Sequence, residues 1–202
     1  MIVDDMHWED LASMEPSEVV SRSQAQWDPK RGFGIPFLGH VYWVNPSVRA
    51  VRPLLQDRPL EPHLPLVLVI YLLRVQDLPL KGSMVTQREL PGGAFFFRHL
   101  HKLPTQELEE AFGNRPQAFL QAGEALGGRI VGSSPHLFEL RPLPRILVAF
   151  RIWPEDEEFP AQCVITFDES IHLHLPLDAI WALTQVLAQR LIAIDKDSDP
   201  GE

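Results

Sequence analysis

Two kinds of residue cluster in this 202-residue chain could do chemistry, one acidic and one built of histidines. The denser is Trp153-Pro154-Glu155-Asp156-Glu157-Glu158-Phe159-Pro160. Consecutive carboxylates gather oxygens of the kind hard divalent cations take, and their mutual repulsion can hold a proton on one of them for acid–base work. The plainer reading is a solvated turn joining two strands, which is what most charge runs are. The flanking aromatics and prolines fix the direction of the chain and give the acids an apolar border. Trp153, Asp156, Glu157, Glu158 and Phe159 are therefore the candidate ligand-binding residues. Asp168, one strand further on, joins them if the chain returns it to the same edge.

The second cluster is a pair of His-x-His units, His99-Leu100-His101 and His172-Leu173-His174. On a strand this spacing puts both imidazoles on one face, a geometry that suits transition-metal ligation. Two such units and a carboxylate would complete a zinc or iron site. The requirement is strict: both segments must be extended and must meet in space. Failing that, these are ordinary side chains in a chain with eight histidines. Cys163 lies in the apolar run Cys163-Val164-Ile165 and reads as a buried small hydrophobe rather than a nucleophile. Gly32-Phe33-Gly34, Gly92-Gly93 and Gly127-Gly128 form neither a dinucleotide fingerprint nor a phosphate loop, and no Gly-x-Ser-x-Gly elbow is present. No cofactor is named by any of these patterns.

Composition narrows the class. The chain is 45% hydrophobic and 22% charged, the proportions of a globular protein. Its net charge of −9 would repel a phosphate backbone, so a nucleic-acid partner is not expected, and a small molecule or a protein is. A single cysteine excludes an internal disulfide and a four-cysteine metal site. The start Met1-Ile2-Val3-Asp4-Asp5 lacks the features of a signal peptide, and the apolar run Leu64–Leu73 is short of the ~20 residues that span a bilayer. The expectation is a cytoplasmic protein without a membrane partner.

The elements that must position these residues are short, because nineteen prolines punctuate the chain. One or two helices open it, with Glu15-Pro16-Ser17-Glu18 at a helix start. Gly32-Phe33-Gly34 reads as a break. Phe37–Val44 reads as a strand paired with Val48–Leu54 through a turn at Asn45-Pro46. Arg58–His63 is a connector to the apolar run Leu64–Val75, where Pro65 and a length of about three turns favour a buried helix, with a fully buried strand as the alternative. Leu90-Pro91-Gly92-Gly93 turns into Ala94-Phe95-Phe96-Phe97, where three phenylalanines in a row call for apolar surroundings on both sides of a strand. Thr105 is the expected N-cap of a helix ending at Gly113, and a second helix runs from Pro116 to Leu126. Gly132-Ser133-Ser134-Pro135 is a turn. Strands follow over Leu143–Trp153 and Gln162–Phe167, with a return strand over Ile171–Leu175. Leu177, Ile180, Trp181, Thr184, Leu187, Ala188, Leu191 and Ile192 recur at helical spacing and make the core face of a C-terminal amphipathic helix. The sum is an α+β fold: one compact domain over residues 1–194, an antiparallel or mixed sheet flanked by helices, and an acidic disordered tail over 195–202.

Several of these landmarks recur in a set order. They are Phe37-Leu38-Gly39, Tyr71-Leu72-Leu73, Leu90-Pro91-Gly92-Gly93 before aromatics, Leu126-Gly127-Gly128, Leu143-Pro144, the Trp153–Pro160 segment, Phe167-Asp168-x-Ser170 and Leu175-Pro176. From Val19 to Leu191 the chain resembles the prokaryotic family known as domain of unknown function 3786. The resemblance carries no activity and no site residue. Some relatives join such a domain to a cysteine-rich iron–sulfur module found beside corrinoid proteins in anaerobes, which implies anaerobic redox or one-carbon metabolism by analogy alone. Cys163 by itself cannot supply that module, and Leu177-Asp178-Ala179 stands where the family pattern has Thr-Glu-Asp.

The reading that follows is a non-catalytic ligand-binding or accessory module, with its site at the Glu155–Glu158 loop. The alternative is a metal-dependent enzyme using His99, His101, His172 or His174 as ligands and Asp156, Glu157 or Asp168 as ligand or base. A third is a structural subunit that buries Phe95–Phe97 against a partner.

Overall fold

In the computed structural model, residues 3–55, 60–132 and 134–198 are described. Met1 and Ile2, Arg58 and Pro59 of the expected connector, Ser133 of the expected turn and the tail beyond Ser198 lie outside them. Helix α1 (Asp5–Ser13) starts where the Asp4 carboxylate accepts the Met6 amide, at 2.9 Å. Helix α2 (Pro16–Ser23) has proline in its first turn and stops at Gln24, whose φ of 59° reverses the chain.

A four-stranded antiparallel meander follows: β1 (Gln26–Asp28), β2 (Gly32–Phe37), β3 (His40–Asn45) and β4 (Ala50–Pro53). The expected hairpin through Asn45-Pro46 is present, but Gly32-Phe33-Gly34 is a strand, not a break. The alternation explains it. Phe33, Ile35 and Phe37 are buried on one face, and their burial outweighs the poor strand propensity of the intervening glycines. Phe37 therefore ends β2 instead of starting β3, and the turn falls at Leu38-Gly39, with φ of 48° and 78°.

Helix α3 (Leu64–Arg74) is buried along nearly its whole length, as a run this apolar requires. Each such Leu, Val or Ile contributes roughly 1.5–3 kcal/mol by leaving water. The chain then builds a second antiparallel sheet, in spatial order β5-β9-β8-β7-β6. Its strands are β5 (Met84–Thr86), β6 (Arg129–Ile130), β7 (Leu137–Leu143), β8 (Ile146–Trp153) and β9 (Gln162–Asp168). Between β5 and β6 lie α4 (Gly93–Phe96), a 3₁₀ turn over His99–His101, α5 (Thr105–Phe112) and α6 (Pro116–Ala125). Thr105 is the first residue of α5 and not its N-cap; Pro104 holds that place without a side-chain bond. Helix α6 lies so close on β7 that a Cβ at Gly123 would sit 2.7 Å from the Phe138 ring.

Ile171–Leu175, expected as a return strand, is instead the short helix α7 (Ile171–His174). The hydrogen-bonding capacity of Asp168 and Ser170 turns the chain before it can pair. Helix α8 (Leu177–Ser198) closes the fold against α3, α5 and α6. It is apolar and long enough to span a bilayer by length and composition, but more than half of that stretch is buried here as a core helix. It also runs past Ile194, so Asp195, expected in a disordered tail, is helical and pairs with Arg115 at 2.7 Å. The two sheets join where the Leu38 amide donates to the Pro142 carbonyl, and the Arg145 guanidinium ties the β7–β8 turn to the Arg22 carbonyl of α2.

Candidate functional site

The acidic segment leaves the end of β8 as an exposed turn. Asp156 organises it: its carboxylate accepts the amides of Glu158 and Phe159, at 2.9 and 2.8 Å, and its own amide donates to the Phe159 carbonyl. The Glu155 amide ties the turn to the Gly113 carbonyl at the end of α5. Trp153, Pro154, Asp156 and Phe159 line an open hollow of about 480 Å³. The Arg151 guanidinium stacks on the Trp153 ring, 4.3 Å from its centroid. Glu155, Glu157 and Glu158 form no ion pair among the described residues.

Asp168 is not part of this hollow. Trp153 faces Gln162 at the start of β9, and Asp168 ends that strand, ~20 Å along it. Its carboxylate is buried and accepts from the Ser170 hydroxyl and amide and from the Lys81 and Gly82 amides. Burial alone would push its pKa up, but those hydrogen bonds, led by the Ser170 hydroxyl and amide, hold it below the ordinary carboxylate value. Its oxygens are spent on pinning the loop at Gly82 to the start of α7, so Phe167-Asp168-x-Ser170 is an anchor.

The His-x-His units do not have the strand geometry that ligation needed. Both lie on helical turns, where residues two apart diverge. His101 stacks on Phe96 and meets Trp181 edge-on, while His99 is exposed. His172 donates through Nδ1 to the Glu169 carbonyl, at 2.7 Å. His174 is fully buried and its Nδ1 accepts the Gln76 amide. Among the described residues, no group of three His, Cys, Asp or Glu side chains is placed to hold a metal ion. Cys163 is buried, and desolvation followed by the Glu109 charge raises its thiol pKa far from the reactive range.

A different site is assembled on the outward face of the first sheet. The period of two sends Gly32, Gly34 and Pro36 to the face opposite Phe33, Ile35 and Phe37. That face of β2 is almost bare of side chains. Trp43, opposite Gly34 on β3, leans across it; a Cβ at Gly34 would meet the indole at 3.0 Å. The Arg31 guanidinium covers the same indole, 5.4 Å from its centroid, and Arg52 is Trp43's register partner on β4. The result is a trough of about 500 Å³ with Lys30, Arg31, Trp43 and Arg52 along it and the exposed apolar side chains of Val48 and Leu54 at its border. Lys30, Arg31 and Arg52 form no ion pair among the described residues. The Trp43 indole N–H has no acceptor there either. In a chain of net charge −9 this is a local positive field.

The sequence did not mark the trough because its cations come from two distant places, the Lys30-Arg31 pair and Arg52. A related signal lies in Gly-Phe-Gly-Ile-Pro-Phe, whose alternation leaves room on β2 for the Trp43 ring to lie down.

A family model described as domain of unknown function (DUF3786) matches residues 15–190. The chain belongs to this family. No curated protein and no solved structure matches it. The span matched to the DUF3786 domain takes in both sheets, the basic trough, the acidic hollow and the Asp168 anchor.

Proposed function

We propose that this DUF3786 domain is a binding module for a small organic anion, and that the trough beside Trp43 is its site. The observation that carries the proposal is the concentration of cations, in no ion pair among the described residues, around one indole on the outward face of β3 and β4, within an otherwise acidic protein. A phosphate or carboxylate head would meet Lys30 and Arg52, where charge-assisted hydrogen bonds are available. An apolar body would lie along Val48 and Leu54. The volume is within the ~300–1,000 Å³ of ordinary small-molecule sites.

Octyl phosphate is the probe, with inorganic phosphate and octanol as its two halves, and Trp fluorescence with calorimetry as the readouts. Octyl phosphate is expected to bind more tightly than either half, and Arg52→Glu to weaken it about tenfold, roughly 1.4 kcal/mol. Equal binding by the Arg52→Glu variant, or no binding of any probe by the folded protein, would overturn the assignment.

A further inference from the structure

Phe95 and Leu100 are the most exposed large apolar side chains among the described residues, at 83% and 88%. Their neighbours are firmly seated. Phe97 is buried, Phe96 stacks on His101 with ring centroids 4.3 Å apart, and the Trp181 indole donates to the Lys102 carbonyl. Arg98 donates through Nε to the Ala94 carbonyl. His99 holds φ at +52° between the two turns, a conformation side chains rarely adopt. The segment is thus a fixed knob with two apolar tips, and its cations Arg98 and Lys102 form no ion pair among the described residues.

The acidic hollow is its complement in charge and in apolar lining. Trp153 and Phe159 are exposed at 40% and 62%, Glu155 and Asp156 line the hollow with them, and Glu157 and Glu158 are exposed on the same turn. The knob precedes α5, and the hollow is tied to Gly113 at the far end of that helix, ~12 Å away. One copy of the chain therefore presents knob and hollow as separate surfaces.

We infer that the knob of one copy seats in the acidic hollow of a second copy of this chain. Phe95 and Leu100 pack against Trp153 and Phe159, and Arg98 and Lys102 face Glu155, Glu157 and Glu158. Burying aromatic tips inside a charged rim is the usual build of a protein interface. The complementary charges also discourage knob-to-knob and hollow-to-hollow pairing.

Sedimentation velocity over a wide concentration range tests this on the full chain. The wild type is expected to associate, less so as salt is added. A knob variant (Phe95→Asp with Leu100→Asp) and a hollow variant (Glu155→Lys, Glu157→Lys and Glu158→Lys) are each expected to stay monomeric. All five positions are exposed, so both variants keep the fold, which circular dichroism checks. Mixing the two is the decisive step. The knob variant retains a good hollow and the hollow variant a good knob, so the mixture is expected to associate when neither does alone. A wild type that stays monomeric throughout, association that survives both variants, or a mixture that stays monomeric would overturn the inference. So would Phe95-dependent capture of anionic lipid vesicles by a protein that never self-associates.

Discussion

The hollow beside Trp43 and the hollow beside Trp153 are alike in volume, about 500 and 480 Å³, and opposite in charge. Each has an arginine over its indole. They differ in how they are made. The acidic one comes from a single stretch of chain, folded on itself around Asp156. The basic one needs β3 and β4 in register, so that Arg52 lies beside Trp43, and the turn before β2 to bring Lys30 and Arg31 to the same indole. A contiguous charge run marks a surface; the basic face arises only where strand register and a turn bring separate cations to one indole.

The comparison breaks most sharply at what holds each frame. The sheet carrying the basic trough is fastened to α8 by Arg190, which is buried, donates to both Glu61 oxygens at 2.6 and 3.1 Å and to the Tyr42 hydroxyl at 2.7 Å, and lies over the Phe37 ring. Burial would lower the arginine's pKa, but these partners, Glu61 first, raise it. Arg190→Ala leaves Glu61 and Tyr42 unpaired and is expected to cost about 3 kcal/mol in urea unfolding. It should weaken octyl phosphate binding as well. An unchanged unfolding midpoint would show that the sheet is held by apolar packing alone.

Arg52→Glu comes next, with no loss of fold and about a tenfold loss of octyl phosphate binding, ~1.4 kcal/mol. The matching reversal in the other hollow, Glu157→Lys, is expected to leave that binding unchanged. Equal effects from the two would mean that net charge, not the trough, governs the probe. Asp156→Ala is expected to cost about 1 kcal/mol or less, because its hydrogen bonds lie in water. Faster amide exchange at Glu158 and Phe159, with none at Trp43, would show that the acidic turn is an independent local unit.

The smallest effect is one of pH. Burial first, and the Arg145 guanidinium second, lower the pKa of His174 from 6.5. The unfolded chain therefore takes up this proton before the folded one does. Stability is complete above about 6.5 and declines as pH falls through that value toward the folded pKa. His63, lowered chiefly by burial, adds a slope of the same sign. His174→Gln should flatten the fall in urea midpoint below pH 6.5; a fall of undiminished slope would assign it to other groups.

Much of the fold was legible. The helix after Pro176 is marked by helical spacing, and Leu64–Val75 by its length and early proline, since its unbroken apolar run has no period; both form, as α8 and α3. The helices ending near Gly113 and Leu126 also form, since proline and glycine bound them. Ile171–Leu175 misled because alternating Ile, Leu and Leu suits a strand, while the buried Asp168–Ser170 bonds bend the chain into a helical turn. The same bonds removed the strand geometry on which the second His-x-His unit depended. Of the candidate site, the acidic hollow was legible as a loop with an aromatic border; the basic trough was not, because the Lys30-Arg31 pair and Arg52 are far apart in sequence and meet only through the sheet.

The amino-acid sequence by itself determined the class of this protein. Its hydrophobic fraction, its proline and glycine punctuation and the helical spacing of its last apolar run specify a helix-flanked α+β domain, and its landmarks specify the family. Those properties are local, read within one turn of helix or one strand. Only the tertiary structure decided what the polar residues do. It committed Asp168 to a turn, separated it from Asp156 by the length of β9, buried His174, and brought Arg52 and the Lys30-Arg31 pair to one indole. Charge acts through space, and the distances that set it are fixed by strand register and packing between residues far apart in the chain.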